Sequence, residues 1–379
     1  MSVVSAPGKA LLIGEYAVLE GATALVTAID VRAIARAPKG PRREPTAVVQ
    51  AAFDAAADFV RGRGLAAPTA PPVVDTGRFS RGIRKLGLGS SAAVAATVVG
   101  HVLAEAGLDL ADPEVRQAAY ELARAAHREA QGGGSGADVA ASVLGGALRF
   151  RDGEATPVAL PSWLKIAFVD AGAPASTASF VRQVKAAAVA DPDTYDAAMK
   201  RLRGASDGFF AALERAEADD DDAARESFAA LKDAVAAHNA GLRALQELSG
   251  APILTATIDA ILDLAGELGL AAKPSGAGGG DLVVVFARSQ AALDHLADRL
   301  LRERGIQLLS GLSAGAQGLR REAFAPRCSR LAGFFRLHID QRRAVLAEAC
   351  AIDPADFEVL DPGALALDQA EHMIENVVG

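Results

Sequence analysis

Cysteine is almost missing from this sequence: Cys328 and Cys350 are the only two in 379 residues, and both lie near the C-terminus. Neither a disulfide framework nor a clustered thiolate metal site can be built from them. Positive charge is also in deficit, with 39 Lys and Arg against 47 Asp and Glu and a formal net charge of -8. No general attraction to nucleic acid or to an anionic membrane follows, so an anionic ligand would need a local basic pocket. The longest apolar run, residues 92–108, is broken by His101 and Glu105 before it could cross a bilayer. The opening residues show no basic leader ahead of an apolar stretch, and a cytoplasmic location is the expectation. Lysine is scarce, 8 of the 39 basic residues, so Lys9, Lys85 and Lys273 stand out.

What is present is an ordinary globular composition, 51% hydrophobic and 23% charged. That argues against collagen-like repeats and a small stapled scaffold and excludes disorder for most of the length. At this length two lobes, with an appendage, are expected. Residues 3–6, 10–13 and 25–35 read as strands, with Pro7-Gly8 as a turn and Lys9 beside it. Residues 46–63 and 113–129 have helical periodicity, and the apolar, alanine-rich stretch after Ser91, about four to five turns long with polar residues returning near Glu105, reads as a buried helix. Residues 163–170 suggest a buried strand, and long alanine-rich helices follow over 178–248, interrupted by a solvated acidic loop at 219–222. Then come a helix over 255–268, a strand over 282–287, a helix over 289–303 and a strand over 306–309. No fixed-period repeat is visible.

Three glycine-rich segments carry the chemistry. Gly87-Leu88-Gly89-Ser90-Ser91 enters a helix, where unpaired N–H groups and the helix dipole suit a polyphosphate. It is neither a Walker A loop nor a dinucleotide fingerprint. Ser90 and Ser91 could coordinate Mg²⁺ or a phosphate, or could simply cap the helix. Residues 132–138 place Ser135 and Asp138 at another helix start, where Asp138 could face a substrate or a lysine, or act as a cap. Residues 273–281, with Lys273, Ser275, Gly276 and Ala277 leading into four more residues ending at Asp281, form a third loop too rich in glycine for a hairpin.

These residues resemble the GHMP kinase superfamily over about residues 1–325. Three segments carry the likeness: Ser5-Ala6-Pro7-Gly8-Lys9 with Gly14-Glu15-Tyr16-Ala17-Val18-Leu19, then Gly87-Leu88-Gly89-Ser90-Ser91-Ala92-Ala93, then Lys273-Pro274-Ser275-Gly276-Ala277-Gly278-Gly279-Gly280-Asp281. Within the superfamily, His127 with Gln131-Gly132, the stretch from Gly134 to Ala140, and Gly172-Ala173-Pro174-Ala175-Ser176-Thr177 resemble the phosphomevalonate kinases more than the mevalonate kinases. The resemblance implies an α+β GHMP kinase fold. Its expected parts are a ribosomal S5-like N-terminal, ATP-binding lobe (1–155), a ferredoxin-like C-terminal lobe (156–325) and a small helical extension (326–379).

It also implies a division of roles. Gly87, Leu88, Gly89, Ser90 and Ser91 would cradle ATP phosphates, with Ser91 a Mg²⁺ ligand. Lys9 and Asp138 would be catalytic, and Ser135, Ser176, Lys273, Ser275, Gly276 and Ala277 would hold the acceptor, 5-phosphomevalonate. Arg81, Arg84 and Lys85 are further candidates for neutralising charge. One departure matters: the magnesium-binding Glu of mevalonate kinases, eleven positions before the catalytic Asp, is His127 here, and Glu129 is a weak substitute. Mevalonate kinase, or another small-molecule kinase of the superfamily, is the competing reading.

The tail has its own resemblance. Gly333-Phe334-Phe335-Arg336-Leu337, Gly363-Ala364-Leu365 and Met373-Ile374-Glu375-Asn376-Val377-Val378-Gly379 are similar to the first ~50 residues of class II HMG-CoA reductases. The substrate, cofactor and catalytic segments of those enzymes come later, so reductase activity is not expected. A fusion of two enzymes, a truncated gene and an artificial boundary remain open, as do self-association or a scaffold role that docks a reductase through residues 333–379.

Overall fold

The computed structural model describes residues 2–38, 44–81, 84–173, 177–215 and 220–322, and the compact unit they form ends at Glu322. The small helical extension expected over 326–379, its reductase-like segment, both cysteines and Ser176 lie outside the described residues.

The chain opens with β1 (Val4–Ile13) and β2 (Ala24–Arg36), a long antiparallel pair. Helix α1 (Ala47–Gly62) follows, then β3 (Val73–Asp75) and the small pair β4 (Ser80–Arg81) and β5 (Arg84–Lys85). Helices α2 (Ser90–Glu105), α3 (Pro113–Gln131) and α4 (Ala137–Leu144) lead to the antiparallel pair β6 (Ala147–Arg151) and β7 (Glu154–Val158). The second half runs β8 (Lys165–Asp170), α5 (Thr177–Ala190), α6 (Pro192–Arg215), α7 (Asp221–Ser249), α8 (Ala256–Glu267), β9 (Ala271–Ser275), β10 (Leu282–Ala287) and α9 (Gln290–Arg304), and ends in β11 (Arg320–Arg321).

One sheet has the order β11-β1-β2-β6-β7, with β3 on β2; a second has the order β8-β10-β9. Helix α2 packs on β1 and β2 on one side and on α1 and α3 on the other, so Ala92 through Ala104 are all buried. Alanine and valine suit that place, because small side chains let a helix approach on every face. A second core joins the sheets, bringing Leu12, Leu25 and Ile29 together with Phe168, Phe209 and Phe286. The rings of Phe209 and Phe286 meet edge to face at 5.4 Å.

After α9 the chain returns to the first sheet: Ala314 bridges Ile29, and β11 pairs with β1. Arg32 fastens this return. Its Nε donates to Ser5 Oγ at 2.6 Å, and its terminal nitrogens donate to the carbonyls of Gln317 and Gly318, each at 2.7 Å. Leu319, 1% exposed, fills the space above Gly100, where an added Cβ would lie 2.6 Å from its Cδ1.

Several expectations are corrected. Pro7-Gly8 is no turn: β1 runs through it, and the strand register shifts between the two residues. Proline lacks an N–H and is tolerated in a strand at such an irregularity. Lys273 and Ser275 belong to β9, so the third loop is only residues 276–281. Residues 306–309 form no strand, only an isolated bridge from Leu308 to Val169. Of the acidic run, Asp220 caps α7 through Asp222 and Ala223 N–H groups, while Asp221 and Asp222 occupy the helix's first turn, where carboxylates oppose the dipole favourably. Among the described residues no helix is long and apolar enough to cross a membrane.

Truncating Leu319 tests whether the returning segment is integral to the core. Leu319→Ala should cost ~2–5 kcal/mol, the usual range for emptying a buried leucine site, read as a lower urea midpoint with an unchanged m-value. An unchanged midpoint would show that the segment contributes nothing to the core.

Candidate active site

Helices α2 and α4 both pack against β1, the strand that carries Lys9. The Lys9 N–H donates to the Leu88 carbonyl at 2.9 Å, so strand and second glycine loop are joined at the backbone. Gly89 is the N-cap of α2 with φ 74°, and a Cβ there would sit 2.7 Å from Lys9 Cγ. Only glycine allows both the left-handed backbone and the lysine stem lying across it. The cap position is therefore Gly89 and not Ser90, and no side chain caps the first N–H groups of α2. Helices α3, α7, α8 and α9, by contrast, are capped by Asp112, Asp220, Thr255 and Ser289. Open N–H groups and the dipole make the start of α2 suited to an anion.

Helix α4 has the same design. Gly136 caps it with φ 91° and no side-chain bond, and Asp138 lies in its first turn. Ser135 Oγ accepts from the Ala137 N–H at 3.3 Å. Gln131, at the end of α3, donates from Nε2 to Ser91 Oγ at 3.1 Å and so links the two loops. His127, on the same helix, reports on both catalytic candidates: burial pushes its pKa down, the Asp138 carboxylate draws it up, and the Lys9 ammonium pushes it down again. Carboxylate and ammonium thus act on one imidazole. Among the described residues neither the Lys9 ammonium nor the Asp138 carboxylate is spent on a hydrogen bond or ion pair, and both are half-buried. Glu129 is exposed on α3.

The third loop abuts the second, since a Cβ on Gly87 would lie 2.9 Å from Asp281 Cβ. It is also tied to β1 and to the turn that follows. Leu11 N–H donates to Ser275 Oγ at 2.9 Å, Gly276 N–H to Glu15 Oε1 at 3.2 Å, and Tyr16 Oη–H to the Ala277 carbonyl at 2.8 Å.

Lys273 is a correction. Offered by the sequence as a cation for the acceptor, it is 0% exposed and donates to Glu15 Oε1 and to the Pro274 carbonyl, the latter at 2.6 Å. Ser275 is buried too, its oxygen occupied by Leu11. Burial alone would raise the Glu15 pKa, but the Lys273 ammonium and the His238 ring outweigh it and hold the carboxyl at about 2. His238 Nε2 lies 3.0 Å from Glu15 Oε2, close enough for charge but off the hydrogen-bonding line. Its own pKa is pushed down, first by burial.

Beside the third loop a cleft of about 420 Å³ is lined by Arg81, Arg84, Asp170, Gly172, Thr257 and Gln307 among others. Arg84 forks onto Asp170, with Nη1 donating to Oδ1 at 2.6 Å and Nη2 to Oδ2. Arg81 donates to Gln307 Oε1 at 2.7 Å, and Lys85 is exposed. Sequence reasoning quoted Glu15 without a role and missed His238 and Asp170. A lone lysine in an otherwise apolar strand was the available signal that a buried carboxylate had to exist.

Two family descriptions match the chain: "GHMP kinases N terminal domain" over residues 78–146 and "GHMP kinases C terminal" over residues 220–307. A phosphomevalonate kinase of Streptomyces sp. (strain CL190) is 27% identical over 360 residues, covering 76% of this chain and 90% of its own. The Lin0012 protein from Listeria innocua superposes with a TM-score of 0.71 at 20% identity, covering 85% of this chain and 100% of that one. A Streptococcus pneumoniae phosphomevalonate kinase, in complex with phosphomevalonate and AMPPNP, gives 0.66 at 20% identity, covering 83% and 100%. The structural likenesses establish the fold.

The buried pair has a pH signature. Because the Glu15 pKa lies below its ordinary 4.5, the pair's stabilisation is complete above about pH 4.5 and is lost as pH falls toward 2. Replacing both partners, Glu15→Gln with Lys273→Met, should make acid unfolding take up fewer protons, by as much as about one per molecule. The slope of stability against pH, followed by fluorescence of the single tryptophan, Trp163, checks this; identical slopes would refute it.

Proposed function

We propose that this chain, whose residues 78–146 and 220–307 match the N- and C-terminal domains of the GHMP kinases, is a kinase that phosphorylates 5-phosphomevalonate with ATP, giving 5-diphosphomevalonate. The observation that carries this reading is that Lys9 and Asp138 both act on His127, beside the start of α2 left open by its glycine cap and the glycine-capped start of α4. The likeness to the Streptomyces phosphomevalonate kinase supports the choice of acceptor.

Phosphoryl transfer between two anions needs positioning and charge neutralisation more than covalent help. The triphosphate is received by the N–H groups at the start of α2, with Lys9 lying across Gly89 to offset its charge. Ser135 and the third loop, at Gly276 and Ala277, would hold the acceptor, and Ser176 is assigned there by resemblance. An acceptor phosphate has a second pKa near 6 and is mostly deprotonated at pH 7. Its oxygen needs no strong base, so Asp138 orients Lys9 and the acceptor.

For Mg²⁺, the donors at hand are Ser91 Oγ and the Asp138 carboxylate. Both are oxygen ligands of the kind this ion takes, but they are too few for a protein cage. That fits an ion which keeps several waters and arrives bound to substrate phosphates, and whose chemistry is to neutralise charge on them. His127 adds no carboxylate to this set.

Paired ADP-release assays separate the readings. Release with 5-phosphomevalonate and none with mevalonate is expected; the reverse would make the chain a mevalonate kinase. Lys9→Met should lower kcat by ~10²–10³, the usual loss for one charge-stabilising donor. For Asp138→Asn a smaller loss with an unshifted pH profile is expected, whereas a loss of many orders of magnitude across the profile, with binding intact, would establish proton abstraction instead.

A further inference from the structure

Glu15 takes no part in the transfer described above, yet among the described residues it is the most deeply buried carboxylate. It is 1% exposed, its Oε1 accepts from both Lys273 Nζ and the Gly276 N–H, and its Oε2 faces His238. Three successive residues of the third-loop segment, Ser275, Gly276 and Ala277, are each held by a residue between 11 and 16, namely Leu11, Glu15 and Tyr16. Only one of these three ties uses an ionised group. A carboxylate makes a stronger bond to an N–H than a neutral acceptor does, and it survives burial only with a counter-charge. Lys273 supplies that charge from β9, the strand that runs into the loop.

We infer that Glu15 is a positioning residue: it fixes the third glycine loop relative to the strand bearing Lys9 by accepting from the Gly276 N–H, and Lys273 is the counter-ion that permits a carboxylate there. This rests on the reading that Lys9 and the third loop meet the reactants. Misplacing a reactant by about 1 Å costs on the order of 10²-fold in rate, so the anchor bears on turnover, and the pair does more than glue β1 to β9.

Two double variants of the full chain separate the roles. Glu15→Gln with Lys273→Met removes both charges and keeps an acceptor for Gly276; Glu15→Leu with Lys273→Met removes the acceptor too. A merely structural pair predicts doubles that differ in melting temperature alone. Positioning predicts that, assayed well below both melting temperatures, the Gln double keeps kcat within about threefold while the Leu double loses ~10-fold or more at saturating substrates. Glu15→Asp gives a second reading that keeps the charge pair: it withdraws the carboxylate from Gly276 and should also lower kcat. Equal kcat and acceptor KM in the two doubles, or wild-type kcat in Glu15→Asp, would overturn the inference. The functional reading fails separately, in the unmodified chain, if no ADP is released with 5-phosphomevalonate. The two doubles are then compared by AMPPNP titration, where weaker binding by the Leu double alone supports the anchor and equal binding overturns it.

Discussion

A lysine with no exposed surface has to be answered, and the answer given to Lys273 organises the centre of this molecule. The cost of burying an ammonium is met by Glu15. Because Glu15 follows the strand that carries Lys9, and Lys273 precedes the third glycine loop, satisfying one charge also sets the distance between two parts of the site. Lys9 is drawn into the same field: its charge pushes the Lys273 pKa further down, after burial has done most of that work. Two ammonium groups this near each other are tolerable only because one of them is neutralised. Among the described residues the result is a site in which the Lys9 ammonium on β1 has no ion-pair partner and lies beside the open start of α2.

The glycines make that ammonium usable. A helix closed by Asp or Ser spends its first N–H groups on its own cap, as α3 and α9 do. At α2 the cap is a left-handed glycine with nothing to offer, and the N–H groups stay available; at α4 the cap is also a left-handed glycine, and only the first N–H, that of Ala137, is taken, by Ser135 Oγ. Arg84 and Lys273 are both committed to carboxylates. Much of the positive potential for an anion therefore comes from backbone and from Lys9, which is consistent with a chain of net negative charge.

The helices were legible because their signals are local. The buried run of α2, the Asp112-Pro113 start of α3 and the Ser289 cap of α9 each lie within a few residues of the element they define. The β6–β7 pair was equally local and was still passed over: Leu148 and Phe150 point inward, Arg149 and Arg151 are less buried, and Asp152-Gly153 turns the chain with φ 49° and 89°. An Asp-Gly turn after alternating residues is a strong hairpin signal. Other features could not be read that way. Lys273 and Glu15 are 258 positions apart, and nothing near either residue says that they meet. The return of residues 314–321 to the first sheet is likewise a long-range fact, carried by Arg32 and Leu319.

His127 draws these strands together. By the resemblance drawn from the sequence, its position would hold a magnesium-binding carboxylate in a mevalonate kinase, and a carboxylate there would be acted on by Asp138 as the imidazole is now. With an imidazole whose pKa is pushed down by burial, the position next to Asp138 and Lys9 carries no second carboxylate. An alcohol acceptor arrives uncharged and leaves room for a second carboxylate and its metal. A phosphate acceptor brings its own negative charge and its own deprotonated oxygen, so a second carboxylate would add repulsion and supply a base that the reaction does not need. On the proposed reading, His127 in place of Glu is the change that an ionised acceptor would ask of this site.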